Sequence, residues 1–398
     1  MMTSASPFVV AKTTNKPVVS ATKESPQTSL PAQTRYSSPD ICGKEWQSKY
    51  QALHQDIINN KREAKFLVYF CPGTNKGCAG YGNRVRAMVS LFYLAILTDR
   101  AFLIHWKTPK PLAIFLTPKN INWTFPIPLL ETRKHYWKSD HATKKAALDG
   151  WITKNSSEAV WNLVKKENLD VYFDKPVEMV LSIADYAGGA MQKNKYLMQR
   201  AQDMEISPLL PGSQRHATIG CAFDFLFHTT PRLQNALQNT RKKLRKNNAF
   251  VIGIHIRLGD KQFGGSNTRV SETDFPKYFR CATKVEQNLF NLSGGKHTRW
   301  FLAADSLLVK DYARKHFAEK VVMAENKPEH LGIFKKGKKP PSDEGMMGVL
   351  HDHFMLAECD FLVLSKSSFS VTAVGVGMHS SKTYTFGENC SLKLKQHF

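Results

Sequence analysis

Residues 249–256, AFVIGIHI, form a near-continuous apolar run, and the chain leaves that run through Arg257, Asp260 and Lys261. A short apolar run of this kind reads as a buried strand. Its end is polar: His255 and Arg257 are carried out of the core on one edge, and residues two apart on a strand share a face. The flanking segments fit a strand placed among helices. Upstream, TPRLQNALQNTRKKLRK has a threonine cap, a proline in its first turn and apolar positions at helical spacing. Downstream, a helix is expected near 273–289, a strand at RWFLAA (299–304), a helix at 306–317, a short strand KVVM, a helix over 344–358 and a strand DFLVL (360–364). The segment SKSSFSVTAVGVG then turns into a helix of small residues. Strands alternating with helices predict a parallel sheet.

The first half shows the same plan less clearly. A helical stretch from Cys42 leads to the strand FLVYF (66–70), the glycine-rich loop CPGTNKGCAGYGN (71–83), an apolar helix beginning near Arg84 and the strand AFLIHW (101–106). Residues 107–220 carry no pattern that orders them. Residues 1–45 are rich in Ser, Thr, Pro, Lys and Gln and read as a disordered tail or stalk. The expected class is α/β, with domains at 46–225 and 226–398 after the tail.

The chain has 398 residues and a net charge of +23, an excess whose usual partners are nucleic acid, an anionic membrane surface or an anionic substrate. Its dense basic runs, 242–246 and 335–339, have no interleaved aromatics, so no nucleic-acid partner is expected and both read as solvated surface. Seven cysteines include no C-x-x-C pair, which removes support for a zinc or dithiol site. Cys71 and Cys78 are close enough to bridge in an oxidising compartment, and an odd total leaves at least one thiol outside intrachain bridges. Sequons start at Asn122, Asn155, Asn291 and Asn389, about as many as chance supplies. The longest apolar window, 87–97, is a core helix length, and the N-terminus lacks signal-peptide features, so the chain reads as soluble, without a transmembrane segment.

Ligands of open parallel sheets bind beyond the carboxyl ends of the strands. Three such ends are polar here: HIRLGDK, AADS and SKSSFS. Arg257 offers a planar fork suited to phosphate, or it pairs with Asp260 as a structural bridge. Asp305 and Ser306 cap the following helix, or the carboxylate accepts bonds from a base or ribose. Ser367 and Ser368 open a helix whose unpaired N–H groups and dipole suit an anion, with Thr372 one turn on; one of them also suits a plain cap. In the first half, Gly77, Gly80 and Gly82 do not match G-x-G-x-x-G, but they permit close backbone approach at a helix start. Asn83, Arg84 and Arg86 then enter that site or brace the loop. His351 and His353 lie on different faces of one helix and make a poor metal pair.

HIRLGD, FLAADS and SKSSFS-x-x-A-x-x-G resemble, in order, the three C-terminal motifs of the α1,2/α1,6/protein O-fucosyltransferase superfamily, and GCAGYGNRVRAMVSLFYLAILTDRAFLI resembles its first-domain loop, helix and strand. The resemblance spans about 65–106 and 220–378. It implies a GT-B-like fold, two Rossmann-like domains facing across a cleft. It also implies GDP-fucose as donor, a glycan or glycoprotein acceptor, inversion, no required metal or other cofactor, and a Golgi lumenal setting. On that likeness Arg257 meets the β-phosphate and His255 supports the nucleotide or fucose. Asp305, beside Ser306, takes the guanine or ribose; Ser367 and Ser368 hold the diphosphate; Asn83 and Arg84 face the donor from across the cleft. One α1,6 branch places a glutamate shortly after the arginine motif as base. Here that region reads KQFGGSNT, so Asp260 becomes the nearest candidate base, followed by Glu272 and Asp274, unless no enzymic base acts.

Overall fold

The computed structural model describes residues 39–71, 78–137, 151–153, 157–263, 267–325, 328–329, 331 and 341–391. The expected tail as far as residue 38, Gly77, Asn155 and the basic run 335–339 lie outside the described residues. The last residues of that tail are ordered as a short helix, Pro39–Cys42.

Twelve strands are described: β1 Phe66–Cys71, β2 Ala101–Trp106, β3 Leu116–Pro118, β4 Thr132–Trp137, β5 Trp151–Thr153, β6 Val177–Ser182, β7 Phe227–Thr229, β8 Phe250–Ile256, β9 Thr298–Ala304, β10 Val321–Met323, β11 Phe361–Leu364 and β12 Tyr384–Phe386. They form two five-stranded sheets, ordered β2-β1-β6-β4-β5 and β10-β9-β8-β11-β12, and a small β3-β7 pair. Every pairing within the two large sheets is parallel. The α/β class with two parallel sheets is therefore the one the strand–helix alternation predicts.

Strand order locates the ligand-binding edge. In the second sheet β8 leads through helices to β9 and β10 on one side, whereas β11 leads to β12 on the other. The crevice between the carboxyl ends of β8 and β11 is thus a switch point, where loops diverge and leave space. In the first sheet β1 runs on to β2 on one side, and β6 is flanked by β4 and β5 on the other. The corresponding gap lies beyond β1 and β6.

The helices Tyr81–Leu97, Ala217–Leu226 and Ser368–Val376 join the halves. The third packs on the other two, and one hydrophobic cluster runs from Trp46 through Phe92 and Phe225 to Leu364 and Val374. Small residues make the contact close. A Cβ on Gly220 would lie 2.5 Å from the Gly375 carbonyl oxygen, and one on Gly82 would lie 2.4 Å from the Phe369 nitrogen. The small-residue composition of Ser368–Val376 therefore reflects packing at van der Waals limits. A second cluster, including Ile252, Phe279 and Trp300, fills the far face of the second sheet.

Cys71–Cys78 form the disulfide their spacing permits, and Cys42–Cys221 and Cys281–Cys390 form two more. Cys359 remains a buried thiol directed at the Met355 carbonyl. Among the described residues, no helix is long and apolar enough to cross a membrane.

Candidate active site

A cleft of about 680 Å³ opens where the two switch points face each other. That volume falls within the range that encloses a small organic ligand, about 300–1,000 Å³. Its lining combines Asn83, Arg86, Asp185 and His216 from the first half with His255, Arg257, Asp260, Asp305, Ser367 and Ser368 from the second.

Arg257 leaves β8 with its N–H donating to the Ser365 hydroxyl across the crevice (3.0 Å). Its guanidinium donates to Asp305 (3.1 Å) and to Asp260. Asp305 also accepts the backbone N–H groups of Leu258 (2.8 Å) and Gly259 (3.1 Å). Gly259 has φ +130°, and a Cβ there would meet the Asn267 carbonyl at 2.2 Å, so only glycine closes this turn. Burial pushes the Asp305 carboxyl above its ordinary range, against the pull of Arg257 and the two amides. The structural bridge is therefore present, with two carboxylates fixing the fork, and Arg257 still lines the cleft. Asp305 braces the arginine loop and does not cap the helix Leu307–Phe317.

Ser306 differs from expectation. It occupies the N-cap position without a side-chain cap bond, is buried, and is not among the residues lining the cleft.

His255 is buried beside the same crevice, with Nδ1 2.7 Å from the Ser370 hydroxyl. Because that hydroxyl donates to the Ser365 carbonyl, Nδ1 carries the proton and Nε2 is left as an acceptor. Burial, aided by the charge of Arg257, pushes its pKa down to about 3, so the imidazole is neutral. Ser367 caps the helix Ser368–Val376 by accepting the Ser370 N–H (3.1 Å). The plain-cap reading therefore holds for Ser367, which nevertheless lines the cleft at a positive helix end. Ser368 donates to the Asn83 side-chain oxygen, and Arg86 Nη1 approaches its hydroxyl at 3.5 Å. Asn83 and Ser368 thereby tie the two halves together at the cleft.

Arg84 is a correction. It is 2% exposed, donates to the carbonyls of Ala79 (2.9 Å), Thr108 and Leu331 (3.0 Å), and stacks over Trp106. It is a buried strut between the halves and does not reach the cleft. Arg86 takes the place expected for it. Asn83 and Arg86 are three apart on a helix and share a face, whereas Arg84 is turned by about 100°. Glu272 is exposed, Asp274 is tied to Ser271 and Lys277, and neither lines the cleft.

Thr372 receives the Nε2–H of His353 (2.9 Å), a fully buried ring set edge-on to Tyr81 and Phe369. His351 bonds instead to Thr240 and Asp352, so the two histidines do not converge. Among the described residues no cluster of three His, Cys, Asp or Glu is placed to hold a metal ion.

Buried neutral histidines fix the sign of one pH effect. Burial holds His54 at about 4 and His255 and His353 at about 3. The unfolded chain takes up these protons near pH 6.5 and the folded chain does not. Stability is therefore complete above about pH 6.5 and is lost as pH falls towards 4, by roughly 1.4 kcal/mol per site per pH unit. Thermal unfolding followed from pH 7.5 to 4.5 should show a steep fall in Tm; a flat profile would mean these rings are accessible to protons.

Residues 192–378 match the family model described as alpha-(1,6)-fucosyltransferase N- and catalytic domains. A variant of Arabidopsis thaliana FUT1 in complex with GDP shares the fold, with a TM-score of 0.52 at 16% identity over 86% of this chain and 76% of that one. NodZ α1,6-fucosyltransferase, co-crystallised with GDP, aligns at TM-score 0.46 and 15% identity over 78% of this chain and 92% of its own. POFUT1 in complex with GDP-fucose aligns at TM-score 0.43 and 10% identity over 82% of this chain and 98% of its own. No curated protein matches the chain.

Proposed function

We propose, from the match of residues 192–378 to the alpha-(1,6)-fucosyltransferase N- and catalytic domains, that this protein is an inverting fucosyltransferase. Its donor is GDP-fucose and its acceptor a hydroxyl of a glycan or glycoprotein. One observation carries the reading: the arginine fork of Arg257, the helix N-terminus at Ser367 and Ser368, and Arg86 converge at facing switch points on one cleft. A diphosphate leaving group gains charge as its bond to sugar breaks, and preorganised cationic and N–H donors strengthen with that charge. Neutral His255 supplies an acceptor for a sugar hydroxyl or nucleotide N–H. Asp260 is held by Arg257 and Asn267, so it fixes the fork and does not serve as base. Three disulfides favour an oxidising lumen, in line with a Golgi setting.

Incubation with GDP-fucose, GDP-mannose, UDP-galactose and UDP-glucose, with nucleotide release measured in the presence and absence of a glycan panel, tests the proposal. Release confined to GDP-fucose and increased by an acceptor is expected. Binding of GDP without release from any donor would instead make the protein a silent nucleotide- or glycan-binding relative.

A further inference from the structure

Five carboxylates line the cleft: Asp185, Asp260, Asp305, Glu329 and Asp352. Asp260 and Asp305 are engaged by Arg257, and Glu329 accepts the N–H and hydroxyl of Ser342 at the start of a helix. Asp352 is paired with His351 on its own helix. Asp185 differs. It follows β6 at the switch point of the first sheet, and its contacts are long: 3.3 Å to the Ser90 hydroxyl, 3.4 Å to the Gly188 N–H and 3.7 Å to Arg86 Nε.

His216 lines the same cleft, where the Asp185 charge acts to raise its pKa. The residue is half-buried, and its imidazole makes no hydrogen bond among the described residues. Its backbone has φ +67°, the left-handed region that costs a non-glycine residue about 1 kcal/mol or more. Such strain persists where the surroundings over-determine it, and here it presents an unengaged ring at the wall shared with Arg86.

We infer that His216, charge-balanced by Asp185 on the same cleft, is the general base that deprotonates the acceptor hydroxyl. The acceptor oxygen bonds to the anomeric carbon, and the bond from that carbon to the β-phosphate oxygen breaks with its electron pair leaving on GDP. The hydroxyl proton passes to the imidazole and then to solvent. Inversion requires the base on the side of the sugar away from the diphosphate, so the sugar is assigned a pose between Arg257 and His216, both of which line the cleft. Burial and the charges of Arg215 and Arg86 hold the ring below the ordinary imidazole range, so it is unprotonated at neutral pH; Asp185 pulls the other way and stabilises the imidazolium as it forms. The inference rests on the donor assignment above.

The test needs no knowledge of the acceptor. GDP release from GDP-fucose is measured in buffer, where water is the nucleophile, and with added sodium azide, which attacks without deprotonation. His216→Gln should lower water-driven release about 100-fold. It should leave GDP binding by calorimetry unchanged, and azide should restore release to near the wild-type rate, with fucosyl azide as product. Wild-type release in water by His216→Gln, or a loss that azide does not restore, overturns the inference. If that variant does not fold, Asp185→Asn serves: its acid limb in the pH–rate profile should move to lower pH than wild type, and an unmoved limb overturns the inference. Absence of GDP release by the wild-type protein under both conditions identifies failure of the donor assignment itself.

Discussion

Arg257→Ala is expected to lower GDP-fucose turnover by about 1,000-fold, the upper range for removing one preorganised donor from a developing anion. The loss should lie in kcat, because the interaction strengthens only as charge moves onto the departing diphosphate. Lysine keeps the charge but loses the planar fork, and Asp260 and Asp305 would then compete for a single ammonium. Arg257→Lys should accordingly remain at least 10-fold impaired. The alanine variant also leaves two largely buried carboxylates without their cation, a cost of roughly 3 kcal/mol. Asp305 already sits above its ordinary range because of burial, so protonation relieves part of that cost. The Tm difference from wild type should therefore shrink between pH 7 and pH 5. Unimpaired turnover in the alanine variant would remove Arg257 from the chemistry.

Gly82→Ala carries the second large effect, through packing. In an ordinary helix this change is favourable by about 1 kcal/mol. Here the new methyl would lie 2.4 Å from the Phe369 nitrogen and 2.5 Å from the Ser368 carbonyl carbon. Both are backbone atoms at the start of a helix, so no side chain can swing aside. Overpacking costs about 1–3 kcal/mol and should outweigh the propensity gain. The displaced atoms include the N-terminal turn that holds Ser367 and Ser368. Thermal unfolding should show a Tm several degrees lower, and calorimetry a GDP affinity reduced about 10-fold. A variant as stable as wild type would show that the two helix starts can part freely.

The second half of the site was legible because its residues lie at strand ends. HIRLGD and SKSSFS each follow an apolar run, and in a parallel sheet such ends must gather on one edge. Arg84 and Arg86 show where linear reading stops. Both follow the glycine loop, and only the phase of the helix sends one into Trp106 and the other towards Ser368. Ser306 was misplaced for a related reason, since sequence neighbours at a strand end point to opposite sides. Asp185 and His216 lie in the stretch 107–220, where neither helical nor strand period marks position. The bridges Cys42–Cys221 and Cys281–Cys390 close separations of 179 and 109 residues, beyond any local signal.

The glycine-lined seam bears on modularity. The half that carries Arg257, Ser367 and Ser368 has the outline of a transplantable module, but a break after residue 225 would part β3 from β7. The helix Ser368–Val376 would lose two of the three helices packed on it, keeping only Asp343–Ala357 and baring an apolar flank. Grafting this cleft onto another protein would therefore require taking Tyr81–Leu97 and Ala217–Leu226 with it.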